Sequence, residues 1–89
     1  MQVVYKYLAN IGDITYLMLP KGAKILTVQK QGPNICFWAL HVSEGTTLES
    51  RRILKVGTGQ PFDDTKQYEY IGTVQEAEGA LIWHYFEVL

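Results

Sequence analysis

The stretch of this chain best suited to chemistry is Gly57-Thr58-Gly59-Gln60-Pro61. Two glycines around a hydroxyl let backbone N–H groups converge on an anion, the geometry known as a nest. Phosphate loops work this way, but they add further glycines, a lysine and a following helix. Here Pro61 and Asp63-Asp64 follow instead, so the stretch reads first as a strand-ending turn that needs a positive φ. Arg51 and Arg52, with Lys55, Lys21 and Lys24, become phosphate ligands if folding gathers them, because a guanidinium fork matches phosphate oxygens. Scattered solvated charge is the plainer account of the same residues.

His41 and His84 both alternate with large hydrophobic residues. Two imidazoles make half of a zinc site, which needs three or four ligands. Cys36 lies five residues before His41, and odd spacing along a strand puts the two on opposite faces. Both histidines are therefore expected to reach backbone or solvent partners, without a metal. Asp63-Asp64 with Glu69, or Glu76 with Glu78, stand beside Gly and Lys in turn-like sequence, where solubility and turn formation explain them. Nothing resembles a nucleophile elbow or a catalytic Cys–His arrangement. The expectation is a protein that is not an enzyme and carries no cofactor.

The rings are the more informative surplus. Tyr5, Tyr7, Tyr16, Trp38, Tyr68, Tyr70, Trp83 and Tyr85 exceed what a small core needs inside. Core packing claims most of them, and the remainder serve to stack a base or anchor a protein interface. An exposed pair on one strand face would mark such a surface. The candidate ligand-binding residues are thus Gly57, Thr58, Gly59, Gln60, Arg51, Arg52, Trp38, Trp83 and Tyr85.

Strands must position these groups. Ile35-Cys36-Phe37-Trp38-Ala39-Leu40-His41-Val42 is an almost wholly apolar run, bracketed by Gly32-Pro33-Asn34 and Ser43-Glu44-Gly45-Thr46-Thr47. It is too short for a buried helix, and its apolar side chains on both faces suit a central strand. Further strands are predicted over Val3–Leu8, Ile14–Leu19, Lys24–Gln31, Arg51–Val56, Tyr68–Gln75 and Ala80–Val88. In the third, Leu26 and Val28 should share one face and Ile25, Thr27 and Gln29 the other. Leu54 and Val56 form the apolar side of the fifth. Gly72, inside a strand, marks a bulge or the close approach of another backbone. The nearest helix candidate, Thr46–Arg52, is short and has no apolar stripe. Six or seven short strands with frequent turns predict a single all-β domain over residues 1–89, a small antiparallel sandwich or barrel with little or no helix. Short connections favour mostly sequential pairing.

Composition narrows the partners. The chain has 89 residues, which leaves room for one core. Lys and Arg total 8 against 9 Asp and Glu, too few cations for a nucleic-acid surface. Cys36 is the one cysteine, so no internal disulfide forms, and no apolar run is long enough to span a membrane. Met1-Gln2-Val3 leads straight into strand-like sequence without the pattern of a signal peptide, which places the expected protein inside a cell.

Val4-Tyr5-Lys6-Tyr7 and Leu19-Pro20-Lys21-Gly22-Ala23-Lys24-Ile25-Leu26 resemble a group of small bacteriophage proteins of unknown function. Phe37-Trp38-Ala39-Leu40, Val56-Gly57-Thr58-Gly59-Gln60-Pro61, Tyr70-Ile71-Gly72-Thr73 and Trp83-His84-Tyr85-Phe86-Glu87 extend the resemblance over nearly the whole chain. It implies a phage or prophage origin, a place in the host bacterial cytoplasm, and no catalytic residues. With that origin, a near-neutral β domain without motifs is expected to bind and neutralise a host component. The component would be a small nucleotide signal or a host defence protein. A structural or assembly protein of the phage is the alternative, and a small nucleotide-directed enzyme comes third. Self-association fits the first two readings, since so small a domain gains by burying a face against its copy.

Overall fold

A computed structural model describes residues 1–43 and 47–89. Seven strands follow in chain order: β1 (Gln2–Leu8), β2 (Ile14–Pro20), β3 (Lys24–Gln31), β4 (Asn34–Val42), β5 (Leu48–Gly57), β6 (Tyr68–Glu76) and β7 (Leu81–Val88). A three-stranded sheet in the order β1-β4-β3 packs on a four-stranded sheet in the order β2-β5-β7-β6. Every pairing is antiparallel. The domain is the small all-β sandwich that its composition and turn spacing predict, and β4 is the central strand of its sheet.

The order of strands departs from sequential pairing. Only β3–β4 and β6–β7 join neighbours in the chain, while β1–β4, β2–β5 and β5–β7 are long-range. The chain crosses between the sheets after β1, β2 and β4, so that β2 to β7 each bury at least one residue in a shared core and Tyr7 of β1 packs against it. Leu17 and Leu19 of β2, Val28 of β3, Phe37 and Ala39 of β4, Ile53 of β5, Val74 of β6 and Tyr85 of β7 fill it, with Ala23 from the β2–β3 turn. Residues 48–52 of the helix candidate are strand; its first residue, Thr46, and the turn residues Glu44 and Gly45 lie outside the described residues.

Two bulges change which side chains face inward. The register of β3 against β4 slips between Ile25 and Thr27, leaving Leu26 as an extra residue. Ile25 therefore joins Val28 on the core side, and Leu26 is exposed, the reverse of what strict alternation predicts. A second slip in β6, between Tyr70 and Gly72, makes Ile71 the extra residue. Gly72 meets the expectation of a bulge, and what crowds it is the side chain of Val28. A Cβ there would come within 2.9 Å of Val28 Cγ1, because β3 lies against β6.

The β6–β7 connection is a single tight turn, Ala77–Gly79, with Ala77 and Glu78 both at positive φ. Left-handed backbone at two residues with Cβ atoms is strained, and it sets the position of Glu76 just before it.

Candidate functional site

β7 divides the candidate residues between two surfaces. Directly opposed residues in adjacent strands share a face. Trp83 and Tyr85 stand opposite Gly57 and Lys55 on the inner face, and Thr15 of β2 joins them through Ile53. His84 and Phe86 point to the outer face with Thr73 and Tyr70 of β6.

On the inner face, the space between the sheets ends in a cavity of about 230 Å³. Asn10, Thr15, Asn34, Lys55, Glu76 and Tyr85 supply its polar lining. Trp83 organises the two charges: its Nε1–H donates to Glu76 Oε2 at 2.8 Å, and Lys55 Nζ lies 4.6 Å from the ring centroid. Among the described residues neither Lys55 nor Glu76 belongs to an ion pair. Tyr85 is only 3% exposed and packs edge-on against Phe37 at 5.5 Å. Burial, and secondarily the nearby Glu76 carboxylate, pushes its phenol up to about 12.

The other end of the same inner face is closed by charge pairing. Arg51 directs Nε and Nη2 at the Glu87 carboxylate, the latter at 2.8 Å, and Nη1 donates to Ala23 O at 2.7 Å. Glu49 Oε1 lies 3.5 Å from Nη1. The hydrogen bonds to Glu87 are the main cause that raises the guanidinium above its ordinary value. Lys24 lines the adjoining hollow with Arg51, but Glu69 and Glu87 line it too. Arg52, next in sequence, points to the outer face opposite Val88. The two arginines are thus on opposite sides of one sheet, and Trp38 is on the outer face of the other sheet, opposite Lys6 and Thr27.

The Gly57–Gln60 segment is a hydrogen-bonded turn. Gln60 N–H donates to Gly57 O at 3.0 Å, Gly57 N–H donates to the Gln60 side chain at 3.0 Å, and Gly59 has φ +81°. Two of the N–H groups that a nest would aim at an anion are paired within the turn itself. Thr58 instead meets His84, with Oγ1 2.7 Å from Nε2. His84 Nδ1 is 3.0 Å from Thr73 Oγ1, which is 2.6 Å from the Tyr70 hydroxyl. The β6 bulge makes this chain of contacts: without the extra Ile71, Tyr70 and Thr73 would face opposite sides. His41 is in the other sheet. Its Nδ1–H donates to Val42 O at 2.7 Å, and Nε2 accepts from the Tyr7 hydroxyl at 3.0 Å.

Sequence reasoning left Phe62 and Phe86 out of the candidate set, and they complete the outer surface. After the turn, the chain folds back so that Phe62 lies 5.4 Å from Phe86 and 5.3 Å from Tyr68, while Tyr70 lies 5.5 Å from Phe86. Tyr70 is 57% exposed and Phe62 43%. The Tyr68 hydroxyl donates to Asp63 O at 2.7 Å and ties the returning loop to the sheet. Asp63, Asp64 and Lys66 border the rings. The Asp63 carboxylate accepts from Thr65 Oγ1 and N–H, which holds it below the usual range. The signal that could have found Phe62 is its place after a Gly-Pro-rich turn, where an isolated ring in polar sequence has no core of its own to enter.

Among the described residues no cluster of His, Cys, Asp and Glu could hold a metal ion, and no helix is long and apolar enough to cross a membrane. No curated protein and no solved structure matches the chain. The family described as "Domain of unknown function (DUF7352)" matches residues 1–89, the whole sequence, and the chain belongs to it.

Proposed function

We propose that this domain acts by binding and not by catalysis, and that it docks a host protein on the ring platform of the four-stranded sheet. The carrying observation is the cluster of Phe62, Tyr68, Tyr70 and Phe86, with its two most exposed rings at its margin. Aromatic groups surrounded by polar residues are the usual composition of an interface anchor. Two carboxylates and one ammonium border the platform, which favours a partner segment bearing arginine or lysine. A nucleotide signal fits less well, since its phosphate would meet Asp63 and Asp64 while Arg51 is engaged by Glu87. The resemblance to small bacteriophage proteins supports the rest of the reading: a phage protein that neutralises a host component in the bacterial cytoplasm.

NMR titration of the labelled protein with a blocked Gly-Arg-Gly peptide, a blocked Gly-Glu-Gly peptide and adenosine monophosphate tests this. The arginine peptide should shift the amides of Phe62, Tyr70 and Phe86, and Tyr70→Ala should weaken its binding several-fold. Shifts at those residues from the nucleotide, with none from the arginine peptide, would overturn the choice of a protein partner.

A second reading, a structural or assembly protein built from its own copies, draws on β2. This edge strand has no charged residue, and Ile14, Tyr16 and Met18 are all exposed. Asp13 O accepts from Lys55 N–H and Lys21 N–H donates to Thr47 O, both at 2.8 Å, so the odd-numbered residues between them bond to β5. The backbone groups of Ile14, Tyr16 and Met18 therefore face the open edge. Antiparallel pairing of β2 with its copy about Leu17 sets Asp13 opposite Lys21 of the second copy. Sedimentation should show a dimer that Tyr16→Lys converts to monomer; a monomer at millimolar concentration would rule this pairing out.

A further inference from the structure

The inter-sheet cavity is a separate site from the ring platform, on the other face of β7. We propose that it binds a small zwitterion, a molecule of amino-acid size with one ammonium and one carboxylate. Its volume of about 230 Å³ corresponds to roughly eight water molecules at about 30 Å³ each. One cation and one anion line it, and they are held apart by the same indole: Lys55 over the ring face, Glu76 at the ring nitrogen. Each keeps capacity for a further partner, Lys55 through its ammonium hydrogens and Glu76 through its second oxygen.

Tyr85 supplies an independent reason to expect a ligand. It is more than nine-tenths buried, yet its hydroxyl has no hydrogen-bond partner among the described residues. No sealed polar atom lacks a partner among them, so this oxygen opens on the cavity that Tyr85 lines. Thr15 Oγ1 already accepts from Asn10 N–H at 3.1 Å, which ties the β1–β2 connection to the cavity. A net anion such as a phosphate would meet the Glu76 carboxylate, and a simple cation would meet Lys55. A zwitterion satisfies both, with its carboxylate on Lys55, its ammonium on Glu76 and Tyr85 hydrogen-bonding to the carboxylate.

The test is NMR titration of the intact domain with glycine and L-serine, and with acetate and methylammonium as the separated charges. Glycine or serine should give saturable shifts at Thr15, Lys55, Glu76 and Tyr85, and acetate and methylammonium should bind at least tenfold more weakly. Lys55→Met and Glu76→Gln should each weaken binding tenfold or more. Tyr85→Phe, which keeps the ring on Phe37, should weaken it about fivefold. Tyr70→Ala should leave it unchanged, which separates this site from the platform. Binding of acetate as tight as that of glycine would overturn the proposal, as would the absence of saturable shifts with both amino acids or unchanged binding in both charge variants.

Discussion

The two ends of the space between the sheets hold similar residues in opposite states. At one end Arg51 sits between Glu87 and Glu49 with a bidentate contact to Glu87, and its Nη1 donates to Ala23 O. At the other, Lys55 and Glu76 share Trp83 without pairing to each other, and the Tyr85 hydroxyl opens on a cavity. The difference teaches where binding capacity resides in a domain without a catalytic motif. A charge whose hydrogen bonds are all made within the fold stabilises the fold, and a charge with open valences beside a cavity is available to a ligand. Arginine in sequence is the better phosphate ligand, but here the lysine is the one left accessible.

The sharpest way to break this comparison is to remove the anion of the closed end. Glu87 is buried, and Glu87→Ala would leave the Arg51 guanidinium without its main partner, which should cost about 3–5 kcal/mol in denaturant unfolding. A loss below about 1 kcal/mol would mean that the two ends are equivalent. Gly72→Ala is expected to come next, at about 1–3 kcal/mol, since its Cβ would overlap Val28 where β3 and β6 approach. Equilibrium unfolding of this variant reports whether that side of the sandwich is as tight as the ion pair it adjoins.

Smaller effects belong to the open end. Glu78→Gly should stabilise the domain by about 1 kcal/mol, by relieving a left-handed residue in the turn after Glu76, and the shift in thermal midpoint would show it. Lys55→Met should change stability by less than about 1 kcal/mol, the size of a half-exposed cation–π contact, while weakening the proposed zwitterion binding tenfold or more. Tyr85 gives a pH test. Its folded-state value is raised to about 12 from an ordinary 10, so its contribution to stability is complete below about 10 and is lost as pH rises towards 12. Absorbance of tyrosinate should show a late step near pH 12 that Tyr85→Phe removes, with Tyr7 also delayed by burial.

Much of the fold is legible in the chain, and the reason is local. Alternation in β2, the apolar run of β4 and the glycine-bearing turns at Gly22, Gly32 and Gly59 act over two to four residues, so strand positions follow from short windows. The candidate site is legible only in part. Trp83 and Tyr85 line or organise the cavity, and Gly57 stands opposite Trp83, but Arg51 is at the far end of that inner face, Arg52 is on the outer face, and Trp38 is on the outer face of the other sheet. In the sequence Lys55 stands as a scattered charge and Glu76 as a turn residue. Nothing near them in sequence shows that two turns and two strands meet at one end of a sandwich.

The all-β class, the strand positions and the glycine at 72 can be read from the chain alone, because they rest on side-chain period and backbone freedom. Tertiary structure alone decided the strand order, since long-range pairs depend on how two sheets share a core and not on any local window. It also decided which residues face inward, because one extra residue at Leu26 and one at Ile71 shift every later side chain to the other face. Through those two bulges the fold brought Ile25 to the core and set Tyr70 beside Thr73. The contrast between the spent Arg51 and the open Lys55 is also tertiary: both occupy the inner face of β5, but Arg51 lies beside Glu87 of β7 and Glu49 of its own strand, whereas Lys55 lies over Trp83.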